Sequence, residues 1–311
     1  MLKKIKHLSE YYIILFFYKT LKKIPVFFLY IFADILGKIM YYFVPVRKKI
    51  ITENIRRIFG DIHKNEVDNI IKKSYINICK TAFEYFIIPD LNNNNYEHFG
   101  FIENKHIIEN ALKEGNGAVL LGAHFDNPEL VTNLLKLSGL KMCALVKKQQ
   151  NRYITNLFEE IRTSNGVELF YKDSFLKSLY KRLKQNYAVA TVADISVDSR
   201  DGIIVNFCGY PLPTPSGPAM FALKTNAAVI PVFSARMNDN RHRIIVYERI
   251  DQNINQNLDQ NEKVKIIMSR YNDLLEQNIR KYPDQWFWMH NRWKSYIKER
   301  LYEKDKIKIE Q

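Results

Sequence analysis

The sequence predicts an α/β protein with a largely parallel sheet, mixed near its end, flanked by helices and preceded by an apolar helical N-terminus. Short apolar runs alternate with amphipathic segments from about residue 100 to residue 286, and turn residues separate them. Strands that alternate with helices are typical of a parallel sheet covered by helices. The 311 residues, 47% of them hydrophobic, suffice for one large core or two modest ones.

The first 50 residues are both the most basic and the most apolar part of the chain. They contain ten Lys and Arg against two acidic residues, and so carry eight of the fourteen net positive charges. The apolar run 24–46 reaches the length of about 20 residues that spans a bilayer, but Asp34 and Lys38 interrupt it. We therefore expect residues 1–50 to form a membrane anchor. Crossing the bilayer, lying in its interface and forming a buried hairpin of a soluble protein all remain open.

Residues 51–311 are expected to form the main domain. Helical spacing occupies 50–90, and the asparagine run 92–95 is interpreted as a loop. Further helices are predicted over 103–116, 129–139, 151–166, 174–186 and 263–286. Strands are predicted over 117–123, 141–147, 167–170, 187–194, 202–209, 227–236 and 241–250. The proline-rich stretch 211–218 is interpreted as a rigid loop.

Composition narrows the possible partners. The three cysteines lie far apart without a C-x-x-C spacing, which argues against a disulfide framework or a zinc site. The net charge of +14 favours an anionic partner such as nucleic acid, phospholipid or an acidic carrier protein. An RNA-binding protein is disfavoured because no nucleic-acid module is recognisable and the charge clusters beside an apolar segment. We expect no metal and no cofactor.

His124 is the leading candidate for a general base. A histidine followed five residues later by an acid occurs three times in the chain, but only His124 follows a buried strand and precedes a helix. Asn127 suits the N-cap and Pro128 the first helical position, and Glu129 falls in the first turn. A turn between them would let the Glu129 carboxylate reach the imidazole. The alternatives are a histidine with local hydrogen bonds at a strand end, or a metal site with Asp126.

No G-x-S-x-G nucleophile elbow is present, so a reaction at His124 would use a hydroxyl of the substrate as its nucleophile. The stretch "GAHFDNPE" resembles the H-x4-E/D box of the late acyltransferases of lipid A biosynthesis, the lauroyl/myristoyl transferase family. Three further segments resemble the same family in the same order: 151–169, 192–236 and 279–294. In these segments Arg162, Asp194, Thr214 and Gly217 match positions of the family pattern.

The resemblance implies a glycerolipid-acyltransferase-like fold and transfer of a fatty acyl chain from an acyl carrier protein thioester to a hydroxyl of a lipid A precursor or related glycolipid. It implies that His124 is the general base and that Glu129 orients it. The residues expected to bind substrate are Arg162, Asp194, Asn127, Thr214 and Gly217. The implied location is the cytoplasmic face of the inner membrane. We expect a monomer whose partners are acyl carrier protein, an anionic glycolipid and the membrane, without nucleic acid.

Two residues depart from the family pattern inside the box. Asp126 stands where the family usually has glycine, and Pro128 stands where it has tryptophan. An extra carboxylate near the base could raise the pKa of the imidazole or repel an anionic substrate. The alternatives are therefore a catalytically altered lipid-binding protein at the membrane surface, or an acyl thioester hydrolase. Acyl chain length, carrier protein or coenzyme A as donor, and the identity of the glycolipid are left open.

Overall fold

The computed structural model describes residues 2–171 and 175–298. Ten α-helices lie in these ranges: α1 Leu2–Leu21, α2 Val26–Phe43, α3 Lys48–Phe59, α4 Lys64–Ile87, α5 Lys105–Lys113, α6 Pro128–Leu137, α7 Arg152–Thr163, α8 Phe175–Lys184, α9 Gly217–Thr225 and α10 Gln260–Lys281. The strands are β1 Gly100–Glu103, β2 Ala118–Gly122, β3 Met142–Val146, β4 Glu168–Tyr171, β5 Ala188–Val192, β6 Gly202–Phe207, β7 Tyr210–Pro215, β8 Ala228–Arg236 and β9 His242–Val246.

Seven strands form one sheet in the order β1-β9-β8-β2-β5-β3-β4. Every neighbouring pair is parallel except β8 and β9, which are antiparallel. The prediction of a largely parallel, mixed α/β sheet flanked by helices is confirmed. Because β2 lies at the centre between β8 and β5, the carboxyl end of β2 opens onto the edge where parallel sheets bind ligands.

The segment 211–218 is not the loop that the sequence suggested. Most of it belongs to β7, which pairs antiparallel with β6 in a separate two-stranded sheet. Prolines are tolerated there because their missing N–H groups need no partner at an open strand edge. Strand β6 was predicted, but it lies outside the main sheet. Strand β1 and helix α9 were not predicted, since both are short and lack a strong periodic pattern.

The main sheet has a hydrophobic core on each face. Successive residues of β2 point to opposite faces, so Val119 and Leu121 pack in one core, which includes α3, α4 and α10. Ala118 and Leu120 pack in the other core, with α5, α6 and α7. The inner side of α1 joins this second core, which places the first helix on the same side of the sheet as α6 and α7.

Helix α2 packs along α4 through a stripe of small and apolar residues. Leu29, Ala33 and Gly37 are buried in this contact. A Cβ atom on Gly37 would lie 2.5 Å from the Cα of Ile76, so only glycine lets the two backbones approach so closely. The opposite side of α2 is exposed and apolar. Its large residues are Phe27, Phe28, Ile31, Phe32, Ile35, Leu36, Ile39, Tyr42 and Phe43.

Candidate active site

A cavity of about 620 Å³ lies at the carboxyl ends of β2, β5 and β3, beside α6. Its floor is apolar and belongs to the core on the α6 side of the sheet: Leu120, Val131, Leu135, Ala144, Ala190 and Val232. Its charged or titratable lining residues are His124, Glu129, Lys147, Lys148, Arg162 and Tyr171. An apolar pocket with a few converging polar groups is the usual form of a site for a small molecule or a lipid chain.

His124 lies in the turn after β2 and pairs with Asp194, which follows β5. Nδ1 of His124 and Oδ1 of Asp194 are 2.8 Å apart, and the backbone N–H of His124 donates to Oδ2 over 2.9 Å. The register explains this meeting: Gly122 is opposite Val192, and each partner follows two residues later. The Asp194 side chain is 3% exposed, whereas that of His124 is 41% exposed, so the histidine is the accessible member.

The pair has complementary electrostatics. The negative charge of Asp194 raises the pKa of His124 above 6.5, against the opposing effect of burial. Burial alone would raise the pKa of Asp194, but the facing imidazole and the hydrogen bonds it receives lower it. With Nδ1–H donating to the carboxylate, Nε2 of His124 is the nitrogen free to accept a proton. The arrangement suits a general base whose pKa is raised by its carboxylate partner.

Glu129 does not hold the imidazole as the sequence suggested. Its carboxylate accepts a hydrogen bond from Arg162 of α7, on the wall of the same cavity. The Glu129 carboxylate, in the first turn of α6, is thus paired with Arg162 on the neighbouring helix. Asp194 is the acid that contacts Nδ1 of His124. Glu129 still contributes to raising the pKa of His124, but less than Asp194 does.

The segment after α10 braces the turn that carries His124. The N–H of Phe287 donates to the carbonyl of His124 over 2.8 Å, and the N–H of Asp126 donates to the carbonyl of Gln285 over 2.8 Å. The indole N–H of Trp286 donates to Oδ2 of Asp194 over 2.9 Å. The segment 285–287 therefore holds both His124 and Asp194 in place. Trp286, Trp288 and Trp293 are buried in the core.

Asp126 points away from the cavity into a buried charge cluster formed by Glu84, Asp126, Arg236 and His242. Nδ1 of His242 lies 2.6 Å from Asp126, and Arg236 lies 3.1 Å from it. Arg236 also pairs with Glu84, whose Oε1 is 3.2 Å from Nε2 of His242. The φ angle of Asp126 is +53°, a conformation that glycine adopts freely, which accounts for the glycine of the family pattern. Asp126 is not among the residues that line the cavity.

The buried charge cluster is electrically balanced. Burial would lower the pKa of His242, but Asp126 and Glu84 raise it to about 9. Burial would raise the pKa of Glu84, but Arg236 and His242 lower it well below its usual range. Two carboxylates thus contact two basic side chains in the cluster. The hydroxyl of Tyr30 on α2 donates to Glu84 over 2.9 Å, so the cluster also connects α2 to the turn that carries His124.

Four of the five residues expected to bind substrate do not line the cavity, and one of them, Asp194, lies behind His124 instead. Asn127 caps α6 by accepting from the N–H of Leu130, as its sequence position predicted, and its amide donates to Glu84. Thr214 is fully buried and accepts a hydrogen bond of 2.6 Å from Arg292. Gly217 begins α9. In the described ranges no group of three or more His, Cys, Asp or Glu side chains could hold a metal ion.

Sequence reasoning missed two features of this site. It placed Asp194 among the substrate-binding residues rather than beside His124, although both residues end buried strands and the strand register could have suggested the pair. It also missed Glu84, Arg236 and His242. A charged residue at the end of a strand that is buried at every position is the one signal for Arg236, and it names no partner.

Comparison with known proteins identifies the family of the chain. The family described as bacterial lipid A biosynthesis acyltransferase matches residues 1–295. The chain is similar to a phosphatidylinositol mannoside acyltransferase of Mycolicibacterium smegmatis, with 25% identity over 77% of each chain. It is also similar to a lipid A biosynthesis lauroyltransferase of Escherichia coli, with 24% identity over 84% of this chain and 83% of the relative. Because the family match runs over residues 1–295, the chain belongs to the bacterial lipid A biosynthesis acyltransferases.

Proposed function

We propose that this acyltransferase moves a fatty acyl chain from an acyl carrier protein thioester to a hydroxyl of a lipid A precursor or a related glycolipid, with His124 as the general base. One observation carries the proposal. An accessible imidazole, held at Nδ1 by the buried carboxylate of Asp194, stands at the end of a largely apolar cavity. Asp194, rather than Glu129, orients the base in this mechanism.

The chemical steps use this pair directly. Nε2 of His124 takes the proton of the acceptor hydroxyl, and the oxygen forms a bond to the thioester carbonyl carbon. Asp194 stabilises the imidazolium that results. The carbon–sulfur bond then breaks, the new ester remains, and the imidazolium returns its proton to the departing thiolate. The nucleophile comes from the substrate, consistent with the absence of a nucleophile elbow in the sequence.

Glu129 and Arg162 act together in the proposal. Their ion pair joins α6 to α7 on the cavity wall, and the Arg162 side chain is only 14% exposed. Arg162 also lies 5.7 Å from the ring centre of Tyr85 on α4. A pair that links three helices keeps the cavity open beside His124 and leaves Arg162 able to exchange its carboxylate partner for an anionic substrate group.

Incubation of the purified full-length protein with donors and acceptors tests the proposal. Acyl carrier protein thioester, coenzyme A thioester and no donor are each combined with glycolipid acceptor or with none. We expect transfer from the carrier thioester that requires acceptor and falls at least a hundredfold in His124→Ala. Thioester loss without acceptor would identify a hydrolase. Undiminished lipid product in cells that carry His124→Ala would instead favour a lipid-binding protein without catalysis.

The membrane location is also part of the proposal. Within the described part of the chain, α2 alone is long and apolar enough to cross a bilayer, judged by length and composition. It is nevertheless docked on α4. Asp34 lies 3.1 Å from Lys80 of α4, and Tyr30 donates to Glu84. A docked α2 that crossed the membrane would draw these charges into hydrocarbon, where each costs about 2.5–3.5 kcal/mol on insertion scales.

We therefore expect α1 and α2 to lie in the interface of one leaflet, the cytoplasmic one, with their exposed aromatic faces in lipid and their lysines at anionic headgroups. Single cysteines at Lys23 and Lys49, two exposed positions that flank α2 on either side, test this in a Cys208→Ser background. In sealed vesicles, an impermeant maleimide should react with both from the same side. Reaction from opposite sides would mean that α2 spans the bilayer.

A further inference from the structure

We propose that Lys147 and Lys148 form a subsite for a phosphate ester carried by one of the two substrates. The inference rests on the proposed function and adds to it where the charged end of a substrate binds. Both lysines follow β3 directly, are exposed, and line the same cavity as His124. They are the two cations in its described lining that have no acidic partner.

The charge balance of the cavity leads to this assignment. Arg162 is neutralised by Glu129, and His124 is paired with Asp194. Among the described side chains, no carboxylate lies within 4.0 Å of the ammonium group of either lysine. The described lining therefore presents, at one end, two positive charges that pair with no carboxylate of the described residues. A ligand that buries its apolar chain on the floor of the cavity gains the most binding free energy if its other end is an anion.

The strand register sets the distance between the two ends. Leu120 of β2 and Ala144 of β3 both lie opposite Ala190 of β5, so these residues are level across the sheet. His124 follows Leu120 by four residues, and Lys148 follows Ala144 by four residues. Two strand spacings separate β2 from β3, which amounts to about 10 Å. The strands that lead to His124 and Lys148 are thus about 10 Å apart at this edge of the sheet.

Local contacts hold the lysines at this place. The ammonium group of Lys148 lies 4.8 Å from the centre of the Tyr171 ring, whose hydroxyl donates to Glu159. The N–H of Gln149 donates to Thr155 in the first turn of α7, over 3.1 Å. The amino end of that helix adds its positive dipole potential beside the lysines. Lys148 is thus positioned by an aromatic face rather than by a counter-ion, which leaves its charge available to a ligand.

Calorimetric titration of the full-length protein with dodecyl phosphate tests the subsite without relying on activity. We expect the wild type to bind dodecyl phosphate and to bind dodecyl maltoside, which has no phosphate, at least tenfold more weakly. K147Q/K148Q should lose at least tenfold in affinity for dodecyl phosphate, and K147R/K148R should retain it. The control K181Q/K184Q removes the same charge from exposed positions of α8 outside the cavity lining and should bind as the wild type does.

Steady-state kinetics then identify which substrate supplies the phosphate. If the acceptor supplies it, K147Q/K148Q raises KM for a phosphorylated acceptor at least tenfold and leaves KM for its dephosphorylated counterpart unchanged. If the donor supplies it, KM rises for the carrier thioester but not for an N-acetylcysteamine thioester. Equal dodecyl phosphate binding by wild type and K147Q/K148Q, or an equal loss in K181Q/K184Q, would overturn the subsite. A wild type that transfers nothing would refute the proposed function, and the titration would still decide the subsite.

Discussion

Replacing Asp126 with asparagine tests whether the buried charge cluster stabilises the turn that carries His124. Asparagine has nearly the same volume as aspartate and tolerates a positive φ, so the substitution removes the charge and leaves the backbone conformation accessible. The Asp126 side chain is 1% exposed and contacts His242 at 2.6 Å and Arg236 at 3.1 Å. Removing one partner from a buried ion pair costs about 3–5 kcal/mol, and we expect a loss of that size.

The pH dependence of stability gives a second readout of the same variant. The pKa of His242 is raised from 6.5 to about 9 in the folded protein. The folded state thus holds this proton more tightly than the unfolded state does. The resulting stabilisation is complete below pH 6.5 and is lost as the pH rises through 9, about 3 kcal/mol in all. In Asp126→Asn the pKa of His242 falls, so most of this dependence should disappear.

Urea unfolding followed by tryptophan fluorescence measures both effects, because Trp286, Trp288 and Trp293 are buried. Asp239→Asn is the matched control. Asp239 pairs with Arg241 at 2.7 Å, but both side chains are 47% exposed, so we expect no measurable change in the free energy of unfolding. A free energy of unfolding of Asp126→Asn within about 1 kcal/mol of the wild type, with an unchanged slope between pH 6.5 and 9, would refute the reasoning.

Three further experiments test other contacts of the structure. Asp194→Asn should lower kcat by about 10²–10⁴-fold, because the imidazole loses its orienting acid; an unchanged kcat would contradict the pairing. In urea unfolding, Glu129→Gln and Arg162→Gln should each cost about 1–3 kcal/mol, and the double variant should cost less than the sum; strict additivity would show that the two residues do not interact. Gly37→Leu should destabilise the protein by about 1–3 kcal/mol through overpacking against α4, whereas Ile39→Leu on the exposed face should change the free energy of unfolding by less than about 0.5 kcal/mol.

The sequence predicted the main sheet well because its strands are buried apolar runs bounded by turns. The apolar runs 117–121 and 187–192 predict strands that are buried in the interior. Strand β8 is buried at all nine positions. The short strand β7 escaped prediction because three prolines in six residues favour a loop on local grounds. Local composition therefore identified the strands that are buried apolar runs, and it missed β7, whose structure depends on pairing with β6.

The site was only partly predictable for a related reason. A search for an acid near His124 in sequence finds Glu129, five residues away. The acid that contacts the imidazole is Asp194, 70 residues away, and only the pairing of β2 with β5 brings it there. Asp126 is a similar case, since its partner His242 is 116 residues distant. Spacing along the chain reveals contacts within a turn or helix, whereas contacts between strand ends require the order of strands in the sheet.

The pH dependence of kcat/KM for acyl transfer, compared between the wild type and Asp194→Asn, tests the central proposal most directly. Asp194 raises the pKa of His124, and the base must be unprotonated to accept the hydroxyl proton. The account predicts that wild-type kcat/KM rises with pH through a midpoint above 6.5, and that this midpoint moves to lower pH in Asp194→Asn. A wild-type profile without such a rise, or a midpoint that stays in place after the substitution, would contradict it.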